Sequence, residues 1–266
     1  MSTQVQIYNL ALLRLGEALL TSTADNTNPA RSCNAIYDQV LEETLAMGPE
    51  FGWRFASTRG SVDIDSISIS AFADYGSTVT GTVLATAATH GFQSGESVSI
   101  TDTTNYDGTK IIIVVDDDSF YFTDTFAATE TGTAKWTSDE FAYRYARPTS
   151  IRITSISVGG QELTDWELEG QYILTSLEQS TVVVKYVQSI TDTSLFPSHF
   201  VKILYMNMAV HLAYDLVQSR TLSEQLIREL ENVYMPRAIA IDAKELYVEE
   251  DNQNWQNAGH TTINLI

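Results

Sequence analysis

Apolar residues recur at helical spacing near the start of the chain. Thr3 and Gln6 have the spacing of a capping box, which marks the N-terminus of a helix. The apolar stripe that follows predicts a helix as far as Leu15, where Gly16 can end it. Because this short helix is apolar on two sides, we expect it to contact two neighbours, in its own fold or in another subunit.

A second helical pattern follows a polar loop and leads into aromatic residues. Asn28 can cap this helix, and Pro29 fits its first position, where a missing N–H costs nothing. Apolar residues then recur at three- and four-residue steps as far as Gly48, which with the next proline predicts the helix end. Aromatic residues alternate with Gly and Arg at 51–55, which predicts a strand.

The middle of the chain changes to the alternating pattern of β-strands. Residues 61–140 are rich in Thr, Ser, Gly and Asp, and short alternating runs are separated by Gly/Asp turns. This pattern predicts a small all-β sandwich or barrel. Aromatic and β-branched residues resume at Phe141 and predict further strands and a hairpin as far as Val187.

Helical spacing returns in the last third of the chain. A long helix is predicted from Pro197 to about Ser219, and Thr221 and Glu224 have capping-box spacing for another. Pro236 should kink or restart that second helix, because proline removes a backbone donor and clashes with the preceding turn.

The second helix is expected to end near Tyr247. Residues 248–266 are rich in Asn, Gln and Glu and have no helical stripe. We therefore predict an extended C-terminal tail that a partner orders.

The charge balance is strongly acidic. The net charge is −19, which excludes wrapping of a nucleic-acid backbone, since that requires a face of Lys and Arg. DNA could still pass such a surface without binding, because like charges repel. Residues 61–140 hold 13 acidic residues against two lysines, a net charge of −11, and this sharp break suggests an inserted module.

Cysteine content and hydropathy narrow the class of protein further. The single Cys33 excludes an intramolecular disulfide framework and a cysteine-based zinc site. The first residues lack the regions of a signal peptide. The most apolar window, 200–217, contains Lys202, Asn207, His211 and Asp215, which argues against a membrane span. We therefore expect a soluble protein made in a reducing cytoplasm.

Few side chains suggest chemistry. His211 and Asp215, one helical turn apart, could act as a base and its orienting group. No nucleophile accompanies them, so we interpret them, with Asn207, as a polar stripe at a helix–helix or subunit contact. Cys33 falls on an apolar stripe and is interpreted as a buried hydrophobic residue. The run Asp116–Asp118 could bind calcium but lacks EF-hand spacing, and a solvated turn is the preferred interpretation.

Two groups of aromatic residues have different interpretations. Tyr106, Phe120, Phe122 and Trp136 could bind a ligand such as a glycan, but we interpret them as the core of the predicted β domain. Trp255 lies in the polar tail without a local core, so it is a candidate anchor for a partner's pocket.

Five motifs occur in order along the chain: LLRLGE at 12–17, NPARSCN at 28–34, GWRF at 52–55, YRYARP at 143–148 and VKY at 184–186. Their order and spacing resembles the podovirus head-to-tail adaptor family, also called tail tubular protein A. The resemblance covers residues 3–60 and 141–247. Residues 61–140 depart from the compact form of that family and resemble β-modules inserted in many phage structural proteins.

With this resemblance, we predict an α+β fold. It consists of a helical bundle (two N-terminal and two C-terminal long helices) with a small β platform and an inserted all-β sandwich or barrel domain. The expected domains are a discontinuous adaptor core at 1–60 and 141–247, the inserted β domain at 61–140, and the tail at 248–266.

The resemblance also implies a function and partners. Such adaptors form a ring, typically of twelve subunits, that joins the portal protein to the tail nozzle protein and lines the DNA channel in the virion neck. Here the C-terminal tail would hold the portal, and its candidate contacts are Tyr247, Trp255, Ile263, Leu265 and Ile266. The candidate ring-interface residues are Asn207, His211 and Asp215.

Two other function classes remain beside the adaptor. The first is a tail-fibre or receptor- and glycan-binding module at 61–140, carried on an adaptor-like scaffold. The second is an enzyme acting on cell-wall polymer, which would require two convergent carboxylates that nothing in the sequence selects. We expect a non-enzymatic protein without catalytic residues, cofactor or metal, and DNA that passes without specific binding.

Overall fold

The computed structural model describes residues 2–245, which divide into two compact units. One unit contains the residues up to Ala56 and those from Ser189 onward, and we call it the helical unit. The other is Ser57–Gln188, which we call the β unit.

The helical unit is built around one long central helix. In chain order, its elements are α1 (Gln4–Leu15), α2 (Asn28–Ala46), 3₁₀ turns at Arg54–Ala56 and Thr193–Leu195, α3 (Ser198–Val217), α4 (Arg220–Glu229), a π-helical turn (Leu230–Tyr234) and α5 (Met235–Ala243). The helices α1, α2, α4 and α5 all contact α3. Most of α3 is therefore buried, and it supplies the largest share of this core.

Capping explains where the first two helices begin. The predicted capping box is confirmed in α1, where Thr3 Oγ1 accepts from the Gln6 N–H and Gln6 Oε1 accepts from the Thr3 N–H. Gly16 ends that helix in the left-handed conformation that a glycine tolerates. In α2, however, Thr27 caps the helix through a bond from the Ala30 N–H, so Asn28 was the wrong choice.

The predicted aromatic strand at 51–55 is wrong. This segment turns into the short 3₁₀ helix instead, and the next strand begins at Ser57. Trp53 is fully buried with its ring edge-on to Phe200 of α3, and Phe55 lies 4.7 Å from the same ring, centroid to centroid. Tertiary packing against α3 decides the conformation here, since a short alternating run fits more than one structure.

The C-terminal helices also differ from the predicted pattern. Ser219, rather than the Thr221/Glu224 box, caps α4 by accepting from the Leu222 N–H. The expected restart at Pro236 takes the form of a π-helical turn directly before α5, whose N-terminal turn holds the proline. Such turns accommodate a residue that cannot donate within the helix. The helix ends at Ala243.

The β unit contains fourteen strands within the described residues. They are β1 (Ser57–Asp63), β2 (Ser66–Ile69), β3 (Ala71–Asp74), β4 (Thr82–Thr86), β5 (Ser97–Thr101), β6 (Gly108–Asp116), β7 (Ser119–Thr123), β8 (Gly132–Thr137), β9 (Tyr143–Ala146), β10 (Arg152–Val158), β11 (Gln161–Glu162), β12 (Glu167–Glu169), β13 (Tyr172–Thr175) and β14 (Thr181–Val187). They form sheets in the orders β1-β14-β10-β11, β12-β13-β9 and β2-β8-β5-β6-β7-β4-β3. The strand pairs within these sheets are antiparallel.

The seven-stranded sheet is a nearly closed barrel with its own core. Its two end strands, β2 and β3, are separated in the chain by Ser70 alone, so the sheet curls and brings its two edges close together. The core of this barrel includes Phe72, Tyr106, Phe120 and Phe122, all fully or almost fully buried. The core interpretation of the last three is thus confirmed.

The barrel lies inside the segment predicted as an insertion, with a shift at its N-terminal edge. Strand β1 continues to Asp63 and pairs with β14, so residues 61–63 belong to the four-stranded sheet and not to the barrel. That the barrel is an insertion into an older core remains a prediction.

The predicted fold class is wrong. The described residues contain fourteen strands in three sheets, one of them nearly closed into a barrel, and this does not fit a bundle of four long helices. Only α2 and α3 reach 19 and 20 residues; α1 has 12, and the last helical stretch is interrupted by its π turn. The helical periodicity predicted these helices correctly. The middle of the chain, Ser57–Gln188, forms the β unit and adds nothing to a helical bundle.

Candidate functional site

The candidate ring-interface residues all lie on α3, but they have different surroundings. Asn207 is 3% exposed, and its Nδ2 donates to Thr44 Oγ1 at 3.2 Å, so it links α3 to α2 inside the helical unit. Thr44 Oγ1 in turn donates to the Val40 carbonyl at 2.6 Å. Asn207 therefore presents no surface to another subunit in this structure.

His211 and Asp215 are exposed and face α2. His211 Nε2 lies 3.1 Å from Glu43 Oε2, and Asp215 Oδ2 accepts from the Ser32 hydroxyl at 2.5 Å. The structure does not join these two side chains into an acid–base pair, since each has a partner on α2. Their role at a ring interface remains a prediction.

Large apolar side chains are exposed on several parts of the helical unit. Leu13 is 59% exposed and Tyr214 is 68% exposed, although both belong to well-formed helices. The others are Leu10, Leu19, Met47, Phe51, Leu195, Val217, Ile227, Val233 and Ile241. Apolar side chains exposed in this way are available for contacts with another protein where they lie together in a patch.

A buried polar cluster joins α5 to the turn after α2. Asp242 accepts from the Arg54 N–H through Oδ1 at 3.1 Å, and its carbonyl accepts from Arg54 Nε at the same distance. His199 Nε2 is 3.7 Å from Asp242 Oδ1, beyond hydrogen-bond reach. Since no serine, threonine or cysteine belongs to this cluster of contacts, we interpret it as a structural tie.

The β unit contains a buried arginine that sequence reasoning did not select. Arg144 on β9 is 5% exposed at its side chain, and its Nε donates to Asp65 Oδ2 at 2.5 Å. Its Nη1 lies 3.8 Å from Glu96 Oε1, and its guanidinium lies over the ring of Tyr172, 4.2 Å from the centroid. Nη2 has no hydrogen-bond partner among the described residues, which is costly for a buried charged donor.

Arg144 forms part of the wall of a cavity of about 320 Å³. Its other walls include Gln93 and Glu96 from the barrel, Trp136 on β8, and Glu169 and Tyr172 beside the β12–β13 turn. A second cavity of about 530 Å³ shares Trp136, Glu169 and Leu174 with the first. Acidic residues make up much of the lining of the second cavity. We call the two cavities together the Arg144 groove.

A weak signal for Arg144 exists in the sequence. It stands between Tyr143 and Tyr145 in a run that predicts a strand, where a cation is unusual unless paired. Its partners Asp65 and Glu96 are distant in the chain, so no local pattern could have identified the cluster.

The acidic run Asp116–Asp118 forms the turn between β6 and β7. Asp116 Oδ1 accepts from the Ser119 hydroxyl and from the Asp118 N–H, and the Ser119 bond contributes most to lowering the pKa of Asp116. Asp118 Oδ1 accepts from the Thr89 N–H. Within residues 2–245, no group of three or more His, Cys, Asp or Glu side chains is placed to hold a metal ion.

Cys33 is fully buried on α2, and burial raises the pKa of its thiol to about 11. The thiolate that a nucleophile or ligand needs is therefore strongly disfavoured. This agrees with the interpretation of Cys33 as a small hydrophobic residue.

Helix α3 is the one helix among the described residues that is long and apolar enough to span a membrane. Its most apolar window has a mean hydropathy of 1.2, and 56% of that window is buried inside the protein. A core helix of a globular unit has the same features, and α3 contacts four other helices.

The candidate portal contacts, Tyr247, Trp255, Ile263, Leu265 and Ile266, lie outside the described residues. Comparison of the chain with models of protein families and with curated protein sequences gives no match.

Proposed function

We propose that the chain is a structural virion protein, a head-to-tail adaptor whose copies form a ring between a portal protein and a tail nozzle protein. The observation that carries the proposal is the exposed apolar surface of the helical unit, with Leu13 and Tyr214 as its most exposed helical members. The motif order resembles that of the podovirus adaptor family, and from this resemblance we infer the partners of that surface: other copies of the chain, the portal protein and the tail nozzle protein. The ring would stand in the neck of the virion and line the channel through which DNA leaves.

The exposed apolar residues favour association over a free monomer. They occur on α1, on the C-terminal turn of α3 and on the stretch from α4 to α5, so they cannot all be covered by one small ligand. A ring subunit has two neighbours and therefore buries two different surfaces. Apolar residues at the centre of each contact would supply the interaction energy.

The charge of the chain fits a channel for DNA and sets a condition on assembly. A net charge of −19 on each copy repels a DNA backbone, so DNA would pass without being held. The same charge makes copies repel one another, and apolar burial has to offset that repulsion. Assembly should therefore strengthen as salt screens the charge, because the screening length falls from roughly 10 Å at 0.1 M to about 3 Å at 1 M ionic strength.

The portal contact is assigned to the C-terminal tail at 248–266 and to Tyr247 before it, with the indole of Trp255 as the anchor. The helical unit would then form the ring, and the proposal requires no catalytic residue, cofactor or metal.

The proposal is tested by mixing the purified chain with its portal and imaging the product by cryo-electron microscopy, with mass photometry for stoichiometry. We expect a ring of adaptor subunits, about twelve, on the portal. A chain that never adds to the portal at any salt concentration contradicts the proposal. A chain that is monomeric when alone does not, since the portal can act as the template.

Charge substitutions locate the interface. Leu13→Glu and Tyr214→Glu should each weaken ring formation more than tenfold, because each places a charge in an apolar contact. Leu177→Glu is the matched control, since Leu177 is also an exposed leucine (42%) but belongs to the β unit. Equal losses for all three variants would mean that charge alone, and not this surface, governs assembly.

A second candidate function, binding of a tail fibre by the barrel, rests on a specific surface. Ile111 and Ile113 alternate along β6, so they lie on one face of the sheet, and both are exposed. Replacing Ile111 and Ile113 by serine should leave portal docking unchanged. If the virions then lose their fibres, the barrel is a fibre-binding module; if they keep them, this second function is wrong.

A further inference from the structure

We propose that the Arg144 groove of the β unit binds a neutral saccharide. The groove is not needed for the adaptor role, and the proposal uses only residues of the β unit. Success or failure of ring formation therefore does not bear on it.

The groove has the size and composition of a ligand site. Its two parts, of about 320 and 530 Å³, share Trp136, Glu169 and Leu174, and small-molecule sites occupy roughly 300–1,000 Å³. Trp136 is half-buried: it packs against the barrel core and also lines both parts of the groove. Its indole offers an apolar surface with a partly negative face, which suits the C–H groups of a sugar ring.

The charges on the walls disfavour an anionic ligand. Glu96 and Glu169 line the first part of the groove. Glu169 also lines the second part, together with Asp139, Glu140 and Glu167. These carboxylates would repel an anionic ligand. Arg144 is the single cation among the lining residues, so a ligand that bonds to it has to offer a hydrogen-bond acceptor.

A hydroxyl group matches both requirements. It can donate to a carboxylate of the walls, and it can accept a hydrogen bond from Arg144, which lines the groove and whose buried Nη2 has no partner among the described residues. A saccharide carries several hydroxyl groups on an otherwise apolar ring. It could therefore bond to Arg144 and to Glu96 or Glu169 while a C–H face covers Trp136. Single-stranded nucleic acid also stacks on aromatic rings, but its phosphates would meet the acidic walls.

The guanidinium is held in a fixed position, as a recognition group requires. Asp65 holds it at Nε, Glu96 lies near Nη1, and the ring of Tyr172 lies beneath its plane. These contacts tie β9 to the segment after β1, to the barrel and to the β12–β13 hairpin. Arg144 itself is therefore a poor choice for mutation, because its loss would leave Asp65 without its partner.

The test uses exposed residues of the wall and neutral probes. Chitotetraose, cellotetraose and maltotetraose are added to the ¹⁵N-labelled full chain, and the indole N–H signal of Trp136, assigned with Trp136→Phe, is followed by NMR. A heparin tetrasaccharide is the anionic probe. We expect at least one neutral probe to shift the Trp136 signal in a saturable manner, and heparin to leave it unchanged.

A matched pair of double variants then locates the binding site. Glu169→Ala with Gln171→Ala removes two exposed groups beside the groove and should weaken binding at least about tenfold, as expected for lost bonds to a charged group. Gln161→Ala with Glu162→Ala removes the same residue types from exposed β11 and should change nothing. The proposal is overturned if no neutral probe binds, if heparin binds equally well, or if both double variants bind as tightly as the wild-type chain.

Discussion

The indole of Trp53 lies directly against Gly48. A Cβ atom added at position 48 would fall 2.7 Å from Cδ1 and Nε1 of the ring, closer than real Cβ contacts come. The ring cannot move aside easily, because Trp53 is fully buried and its Nε1 donates to the Thr44 carbonyl at 2.9 Å. Gly48 is therefore required for close packing, whereas the sequence suggested a helix stop.

This contact predicts that Gly48→Ala destabilises the helical unit by about 1–3 kcal/mol, the usual cost of overpacking. Gly60→Ala is the matched control, because its Cβ would meet the Tyr186 ring at an ordinary 3.4 Å. We expect the control to be neutral or slightly stabilising, since alanine reduces the freedom of the unfolded chain. Urea unfolding followed by circular dichroism measures both, with the helical signal for Gly48→Ala and the β signal for Gly60→Ala, and equal stability of the two variants would contradict this role of Gly48.

Two neighbouring tyrosines should respond in opposite ways to the loss of their hydroxyl groups. Tyr8 and Tyr37 are in edge contact at 5.4 Å, but only the Tyr8 hydroxyl is bonded, to Gln4 and Asn34. The Tyr37 hydroxyl is buried without a partner among the described residues. Tyr8→Phe should cost about 0.5–1.5 kcal/mol, while Tyr37→Phe should be neutral or stabilising. A loss of stability in Tyr37→Phe would show that this hydroxyl has a partner.

The same tyrosine gives a prediction at alkaline pH. Burial raises the pKa of Tyr37 from 10.0 to about 12, so the folded state binds the proton more tightly than the unfolded state. This contribution to stability is complete below pH 10 and is lost as the pH rises toward 12. Cys33, with its pKa raised by burial from 9.0 to about 11, adds to the loss from pH 9 upward. Tyr37→Phe should therefore lose less stability than the wild-type chain between pH 10 and 12, and equal slopes would contradict the prediction.

The bond between Asn207 and Thr44 predicts a fold defect and not an assembly defect. Thr44→Val keeps the shape of the side chain but leaves the buried Nδ2 of Asn207 without its oxygen acceptor. The expected cost is about 1–3 kcal/mol. Thr221→Val, at an exposed position of α4, should change stability little. If Thr44→Val kept its stability but no longer formed a ring, Asn207 would instead be a residue of the ring interface.

Local patterns in the sequence predicted the elements whose causes are local. The capping box of Thr3 and Gln6 and the alternating strands of the barrel are set by residues close together in the chain, and they were found correctly. The predicted cap of α2, Asn28, is wrong by one residue, because the neighbouring Thr27 also has a side-chain oxygen that can accept from the first turn of the helix. Choosing between them required the backbone conformation.

Features set by distant contacts could not be predicted in this way. Trp53 and Phe55 alternate as in a strand, but the aromatic rings of α3, nearly 150 residues later, bury them in a turn. The Arg144 groove combines Asp65, Glu96 and the β12–β13 hairpin with β9, and no spacing rule connects those segments. Patterns of burial constrain which residues lie inside, but not which of them meet.

Acid should destabilise the barrel, because its loops are held by ionised carboxylates. Glu130 accepts from the backbone N–H groups of Thr104 and Asn105, and the Thr104 bond contributes most to lowering the pKa of Glu130. The bond from Lys110 likewise lowers the pKa of Asp124, and the Thr103 hydroxyl lowers that of Asp107.

A lowered pKa in the folded state fixes the sign of this effect. The stabilisation is present above the ordinary values of 4.5 for Glu130 and 3.8 for the two aspartates, and it is lost as the pH falls below them. Thermal unfolding of the β unit should therefore occur at lower temperature at pH 3 than at pH 7. Glu130→Gln should lower the midpoint at pH 7 and reduce its dependence on acid, because the variant has no carboxylate to protonate. Glu162→Gln, at an exposed position of β11, is the control and should behave like the wild-type chain at both pH values. If Glu130→Gln lost as much stability on acidification as this control, the loop around Thr104 would not depend on the charge of Glu130.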